Sequence, residues 1–250
     1  RAYVTFRNEY IETVWWLLKS IWDKGLLYQG YKVVPYCPRC GTPLSDHEVA
    51  QGYNDADDPS IIVRFPLVDE PNTYFLVWTT TPWTLADNTA LAVNEKLVYV
   101  EVEVGDETFI IAKELLGKVL QDEKHQPLAY NVLRELTGKE LVGKSYEPLL
   151  GEHRGENAHK VWAADYVSHE DGTGIVHIAP AYGEEDFALA RERKIPVVHT
   201  IDENGDFTES DWVGANVWEV NKQIAKDLKE RGVVWKIDYI RHSYPHCHRC

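Results

Sequence analysis

Two groups of side chains in this sequence are spaced so that they could do chemistry together. The first is a pair of cysteine motifs, CPRC at Cys37 and Cys40 and CHRC at Cys247 and Cys250. A C-x-x-C pair aims two sulfurs at one point, and two such pairs complete a tetrahedral, all-cysteine zinc site. Two redox dithiols or a pair of disulfides are the alternatives. CPRCG carries the proline and glycine of a tight zinc-knuckle turn, and no secretory signal is present, which favours structural zinc. If the pairs meet, everything between them is clipped at its base. Because the sequence stops at Cys250, the second knuckle is expected to be truncated and its metal occupancy poor.

The second group lies in two segments. LVWTTTPWTLADN, Leu76 to Asn88, ends an apolar run with Thr79, Thr80 and Thr81, flanked by Trp78, Pro82 and Trp83. Threonine suits a strand, but three hydroxyls running into a proline leave the strand for a turn and face something other than the sheet. EDGTGIVHIAPAYGEEDF, Glu170 to Phe187, sets His177 in a strand and Asp186 in the first turn of a helix. Singly each has a bland explanation: a packed histidine, a charge offsetting a helix dipole, threonines that cap. Together they have the makings of a polar pocket.

Elements must position these residues. Ile11, Val14, Trp15, Leu18, Ile21 and Trp22 fall at helical spacing, with Gly25 as a stop. SIIVRF and YFLVWT read as strands, and KLVYVEVEV–GDE–TFIIA as a hairpin turning at Gly105 and Asp106. Residues 113–160 are less regular, with a short helix near Leu115 and a further strand-like pair. GIVHIAP reads as a strand and EEDFALARERK as a helix starting after Gly183. VWEVNKQIAKDLKERG reads as an amphipathic helix with Val220, Ile224 and Leu228 on one face and Gly232 at its end.

The bulk numbers bound the partners. A chain of 250 residues, 44% hydrophobic and 26% charged, is ordinary for a globular protein and can bury a large core. No apolar run approaches the roughly 20 residues a membrane span needs, and no membrane partner is expected. A net charge of −14 argues against a broad phosphate-binding face, so a nucleic-acid contact should be local, at an end rather than along a duplex. Starting at Arg1 and lacking methionine, the sequence reads as a piece of something longer.

WTTTPWTL followed by Asn88, DGTGIVHIAPAYGEED downstream and CPRCG upstream together resemble the editing domain of isoleucyl-tRNA synthetases. The resemblance covers nearly the whole chain, with YVTFRNEYIETVWW and SYPHCHRC similar to the flanking catalytic-core and zinc-knuckle segments. Valyl and leucyl relatives carry an arginine in a TTRP pattern where Thr81 stands here. Two stretches depart from the family pattern: LADN, where a proline commonly follows the leucine, and PAYG, which replaces PGHG. Neither the HIGH nor the KMSKS signature of the charging site is present, so this stretch is not expected to charge tRNA.

The resemblance implies an α+β fold, a closed or nearly closed β-barrel with peripheral helices on a helix-plus-zinc-knuckle base. Residues 1–51 would hold the helix and first knuckle, 52–239 the editing domain, and 240–250 the return strand and second knuckle. It implies hydrolysis of the ester joining valine to isoleucine tRNA, with valyl-adenylate as a further substrate. Asp186 would pair with the substrate ammonium, and His177 would limit side-chain size. Thr79, Thr80 and Thr81 would hold the ester, ribose or water. Trp78 would pack on the terminal adenosine, and Asn88 would fix the loop or touch the nucleotide. No catalytic metal is implied, and ATP belongs to the full-length enzyme alone. The partner is the CCA end of isoleucine tRNA, and the parent is expected to be a cytoplasmic monomer. The competing expectation is an inactive zinc-stabilised insertion that contacts RNA or a neighbouring domain.

Overall fold

The computed structural model describes residues 3–122, 124–151 and 155–250. The chain forms two compact units, residues 1–32 and 33–250. In the first, α1 (Asn8–Asp23) realises the helical spacing and ends before Gly25, whose φ of 68° only glycine adopts freely. None of its residues is buried, and the side chains of Trp15 and Trp22 lie open.

The second unit runs β1 (Tyr36–Cys37), β2 (Thr42–Pro43), α2 (Asp46–Ala50), β3 (Tyr53–Pro66) and β4 (Thr73–Thr79). A 3-10 turn (Pro82–Asp87) leads to β5 (Ala90–Val93), β6 (Val98–Val104), β7 (Glu107–Ala112) and α3 (Leu116–Val119). Then come β8 (Asn131–Thr137), α4 (Gly138–Leu141), β9 (Lys160–Ala163), β10 (Ile175–Ile178), α5 (Glu184–Arg193), α6 (Val217–Glu230) and β11 (Val234–Pro245). The β6–β7 hairpin turns at Gly105 (φ 62°), α5 starts after Gly183, and α6 ends ahead of Gly232, as the sequence predicts.

The expected barrel does not form. Among the described residues the strands make three separate sheets, in the orders β1-β2, β10-β5-β9 and β11-β3-β4-β7-β6-β8. The six-stranded sheet stays open at both edges. At one edge, β8 leaves Val132 and Leu133 exposed. The physical break is at the end of β4, where Pro82 has no N–H for a ladder and starts the 3-10 turn. That turn carries the chain to β5, a strand of the other sheet.

The main core gathers the inward faces of the large sheet, with Phe65, Phe75, Phe109 and Tyr99 fully buried. A smaller cluster places the small residues Ala90 and Ala92 of β5 against Ile178, Leu189 and Ala190. That packing seats α5 beside β10, and so fixes Asp186 relative to His177. Strands β3 and β11 pair antiparallel along almost their whole length, from Val63 opposite Val234 to Tyr53 opposite Pro245. The ribbon leads directly to the cysteines. There His246 donates its N–H to the carbonyl of Gly52 at 2.8 Å, and a Cβ on Gly52 would collide with the His246 carbonyl.

Candidate functional site

The threonine tract folds on itself as the strand ends. The Thr81 N–H donates to Thr79 Oγ1 at 3.1 Å, and the two hydroxyls lie 3.4 Å apart. One turn on, the Thr84 hydroxyl donates to the Thr81 carbonyl at 2.8 Å and lies 2.9 Å from Nε2 of His177. Thr80 is half-buried and keeps its hydroxyl without a hydrogen-bond partner among the described residues. Strand β10 supplies His177 in register with Leu91 of β5. Thr79, Thr81, Thr84 and His177 therefore form one continuous run of hydrogen-bonding groups.

The tautomer follows from that network. With the Thr84 proton assigned to the Thr81 carbonyl, the shorter of its contacts, Nε2 of His177 is the matching donor to Thr84. Nδ1 is then a bare acceptor, buried without a partner among the described residues. Burial pushes the His177 pKa down to about 4, so the ring is neutral near pH 7. A neutral ring can shape a wall and accept a hydrogen bond; it offers no positive charge.

Asp186 sits in the first turn of α5 and accepts the backbone N–H of Ala179 at 2.9 Å. Ala179 is two residues beyond His177, so one short stretch of backbone positions both side chains. Burial raises the Asp186 carboxyl to about 6, against the pull of the Ala179 N–H and with a small push from Glu185. A half-buried carboxylate with this raised pKa is short of a cation, and a ligand ammonium would supply one. Nearby, the Tyr166 hydroxyl is buried without a partner among the described residues and feels the charges of Asp186 and Glu185.

Two residues singled out from the sequence lie elsewhere. Asn88 is buried and fully engaged, donating to the Ala90 carbonyl at 2.9 Å and accepting from the Tyr146 hydroxyl at 2.6 Å. Trp78 alternates with Thr79 along β4 and so faces the other side of the sheet. Its indole N–H donates to Ser60 at 2.6 Å, and Gly172 lies so close that a Cβ there would come within 3.1 Å of the ring. Trp78 lines a cavity of about 380 Å³ with Ser60, Lys118 and Lys236. The threonines, His177 and Asp186 do not line that cavity, so the chemistry-bearing residues are not at its walls.

Sequence reasoning passed over Thr84, the link between the tract and His177, although it stands inside WTTTPWTL. It also passed over Asp87. An aspartate within the apolar run LADNTALAV was the available signal, since a charge is buried there only if it is partnered.

The four cysteine sulfurs lie within 4.8 Å of one another, and all four are free thiols. Cys37 and Cys250 are 3.5 Å apart, Cys40 and Cys247 3.9 Å. A tetrahedron of thiolates about 2.3 Å from a metal has edges of roughly 3.8 Å, so the donor set fits a tetrahedral ion. The Cys40 N–H donates to Cys37 Sγ at 3.4 Å, which fixes the turn between the two sulfurs. These residues could hold a metal.

Comparison with known proteins bears on both sites. The family model of the tRNA synthetases class I (I, L, M and V) matches residues 1–243. The isoleucine–tRNA ligase of Clostridium tetani is 46% identical over 99% of this chain. That of Thermus thermophilus is 48% identical over 100% of it. In each case the chain spans 24% of the relative's length. The crystal structure of the editing domain of Plasmodium falciparum cytosolic leucyl-tRNA synthetase superposes with a TM-score of 0.57 at 8% identity. The match covers 76% of this chain and 100% of that one, a likeness of fold. The chain therefore belongs to the class I tRNA synthetases of the isoleucine, leucine, methionine and valine group, and resembles isoleucine–tRNA ligases over about a quarter of their length.

Proposed function

We propose that this chain is the hydrolytic editing domain of an isoleucine–tRNA ligase and clears valine from isoleucine tRNA. The observation that carries this is the run Thr79–Thr81–Thr84–His177, joined through the Ala179 backbone to a half-buried Asp186. One methylene is worth only about 1–3 kcal/mol in an apolar pocket, and valine against isoleucine is the standard illustration. Binding alone therefore admits valine at the charging step, and a second site must remove it.

In the proposed reaction a water oxygen attacks the ester carbonyl between valine and the terminal ribose. The carbon–oxygen bond to the ribose breaks, the ribose oxygen takes a proton, and free valine leaves. An aminoacyl ester is already activated, so placing the water contributes most of what is needed. Asp186 holds the α-ammonium. The hydroxyls of Thr79, Thr80 and Thr81 hold the ester, ribose and water, and the unpartnered Thr80 hydroxyl is the one most available to a ligand. The neutral ring of His177 limits the side chain that fits. The adenosine base is assigned to Trp78, so the nucleotide must cross the end of β4, while Asn88 fixes the turn from within.

Zinc is the metal assigned to Cys37, Cys40, Cys247 and Cys250, as a structural ion remote from hydrolysis. The tRNA contact is limited to the CCA end, and valyl-adenylate is a second substrate of the same pocket. Charging, with its ATP, is assigned to the rest of a monomeric, cytoplasmic enzyme.

The test is deacylation of valyl-tRNA and isoleucyl-tRNA, both on isoleucine tRNA, by the intact enzyme with and without Asp186→Ala. Loss of valine alone, abolished by the substitution, is the expected result. If valine survives with the unmodified enzyme, the site is inactive and the domain is a zinc-stabilised insertion.

A further inference from the structure

LADN and PAYG, two stretches 95 residues apart at Asp87 and Tyr182, meet in one cluster. Asp87, 1% exposed, closes the 3-10 turn that carries Thr84. Its carboxylate accepts the hydroxyl of Tyr182, from PAYG. It also accepts the N–H of Thr200 at 2.9 Å and the Thr200 hydroxyl at 2.9 Å. No ion pair reaches Asp87 among the described residues, so neutral donors alone hold the charge. Tyr182 packs edge-on against Trp83 of the same turn, with ring centroids 4.8 Å apart. Its backbone N–H closes a turn onto the carbonyl of Ala179 at 3.0 Å. Ala179 is the residue whose N–H holds Asp186.

We propose that Asp87 and Tyr182 are positioning residues that lock the threonine turn to the Ala179–Gly183 loop and so set the distance between the hydroxyls and Asp186. This role rests on the editing function proposed above and adds to it. Neither side chain touches the run from Thr79 to His177 in the described contacts, so both act through the backbone that carries it. The cluster lies just beyond the β5–β10 ladder, where the Thr89 N–H donates to the Ile178 carbonyl at 3.0 Å, and it adds a side-chain tie between the turn after β4 and the loop after β10. The Thr84–His177 hydrogen bond is a second side-chain tie between these segments. A buried carboxylate without a cation is an expensive way to fill space, and its three hydrogen-bond donors come from two separate loops. Such a group fixes geometry between loops in a way that an apolar contact, free to slide, does not. Burial and the Asp87 charge both raise the Tyr182 pKa, so the phenol remains a hydrogen-bond donor at any working pH.

The experiment measures hydrolysis of valyl-tRNA by the intact enzyme, unmodified and as Tyr182→Phe, Asp87→Asn and the double variant. Thermal unfolding and charging activity are followed on the same samples. Tyr182→Phe removes one oxygen atom and keeps the ring on Trp83, so it should remain folded. The expected result is a fall of about 10–100-fold in kcat with KM within threefold, as for a misplacement of reacting groups by a fraction of an ångström. The double variant should lose no more than the worse single one, because both act through one link. Hydrolysis by Tyr182→Phe within twofold of the unmodified enzyme overturns the proposal. So does a loss that appears only as a raised KM, or one that tracks a lowered unfolding temperature or lost charging. If the unmodified enzyme itself fails to hydrolyse valyl-tRNA, the editing function falls and this role with it, a result distinct from the others.

Discussion

Asp186 is the side chain whose protonation should govern the site. With its pKa raised to about 6, the carboxyl loses its charge as pH falls through that value, and with it the hold on an ammonium. Hydrolysis is expected to decline below about pH 6, and a rate profile flat from pH 8 to 5 would remove Asp186 from the role. The sign for stability is the opposite. A carboxyl raised from 3.8 weakens the fold where it is charged, above about 6, and has no effect below 3.8, where it is protonated folded and unfolded alike. Asp186→Asn should therefore unfold no earlier than the unmodified protein at pH 7, while abolishing hydrolysis. Thr84→Val keeps the shape but strips His177 Nε2 of its acceptor. Leaving a buried donor unmatched costs about 1–3 kcal/mol, so unfolding should come earlier and hydrolysis should slow. Calorimetry and deacylation on the same samples check both.

At the scale of elements, local pattern and long-range pairing divide what the sequence reveals. Strand β10 and helix α5 are legible because apolar alternation in GIVHIAP gives way at Gly183 to three acidic residues in a helix first turn. His177 and Asp186 are legible for the same reason. The first half of β3 is not: YNDADDP has no apolar alternation, and it is a strand because all seven of its residues pair with β11. Barrel closure, which the resemblance implies, turns on where a ladder stops, and here it stops at Pro82, beyond what local pattern reveals. Asp87 escaped because its partners, Tyr182 and Thr200, are 95 and 113 residues away. Trp78 shows a subtler limit: alternation separates it from Thr79, but not which face holds the chemistry. Close approach at Gly52 gives this scale its prediction. Gly52→Ala must displace the His246 carbonyl, misaligning Cys247 and Cys250, so metal affinity measured by competition with a chromogenic chelator should fall about tenfold or more.

For the molecule as a whole, the cysteines and the sheet should respond separately to metal removal. Chelation is expected to expose the amides around residues 36–43 and 246–250 to hydrogen exchange and leave β4, β6 and β7 protected. Their core draws on Phe75, Phe109 and Tyr99, far along the chain from the thiols. Collapse of protection throughout would mean that the ion supports the entire unit. The ribbon of β3 and β11 has one more consequence. Tyr53 and Pro245 are antiparallel partners, so the outgoing and returning strands stand about 5 Å apart where they meet the cysteines. A gap of that width can be bridged by a couple of residues. Some 190 residues could thus be gained or lost by a surrounding protein through a single splice, with no rearrangement of what lies on either side, which makes the sheet and its pocket a portable module.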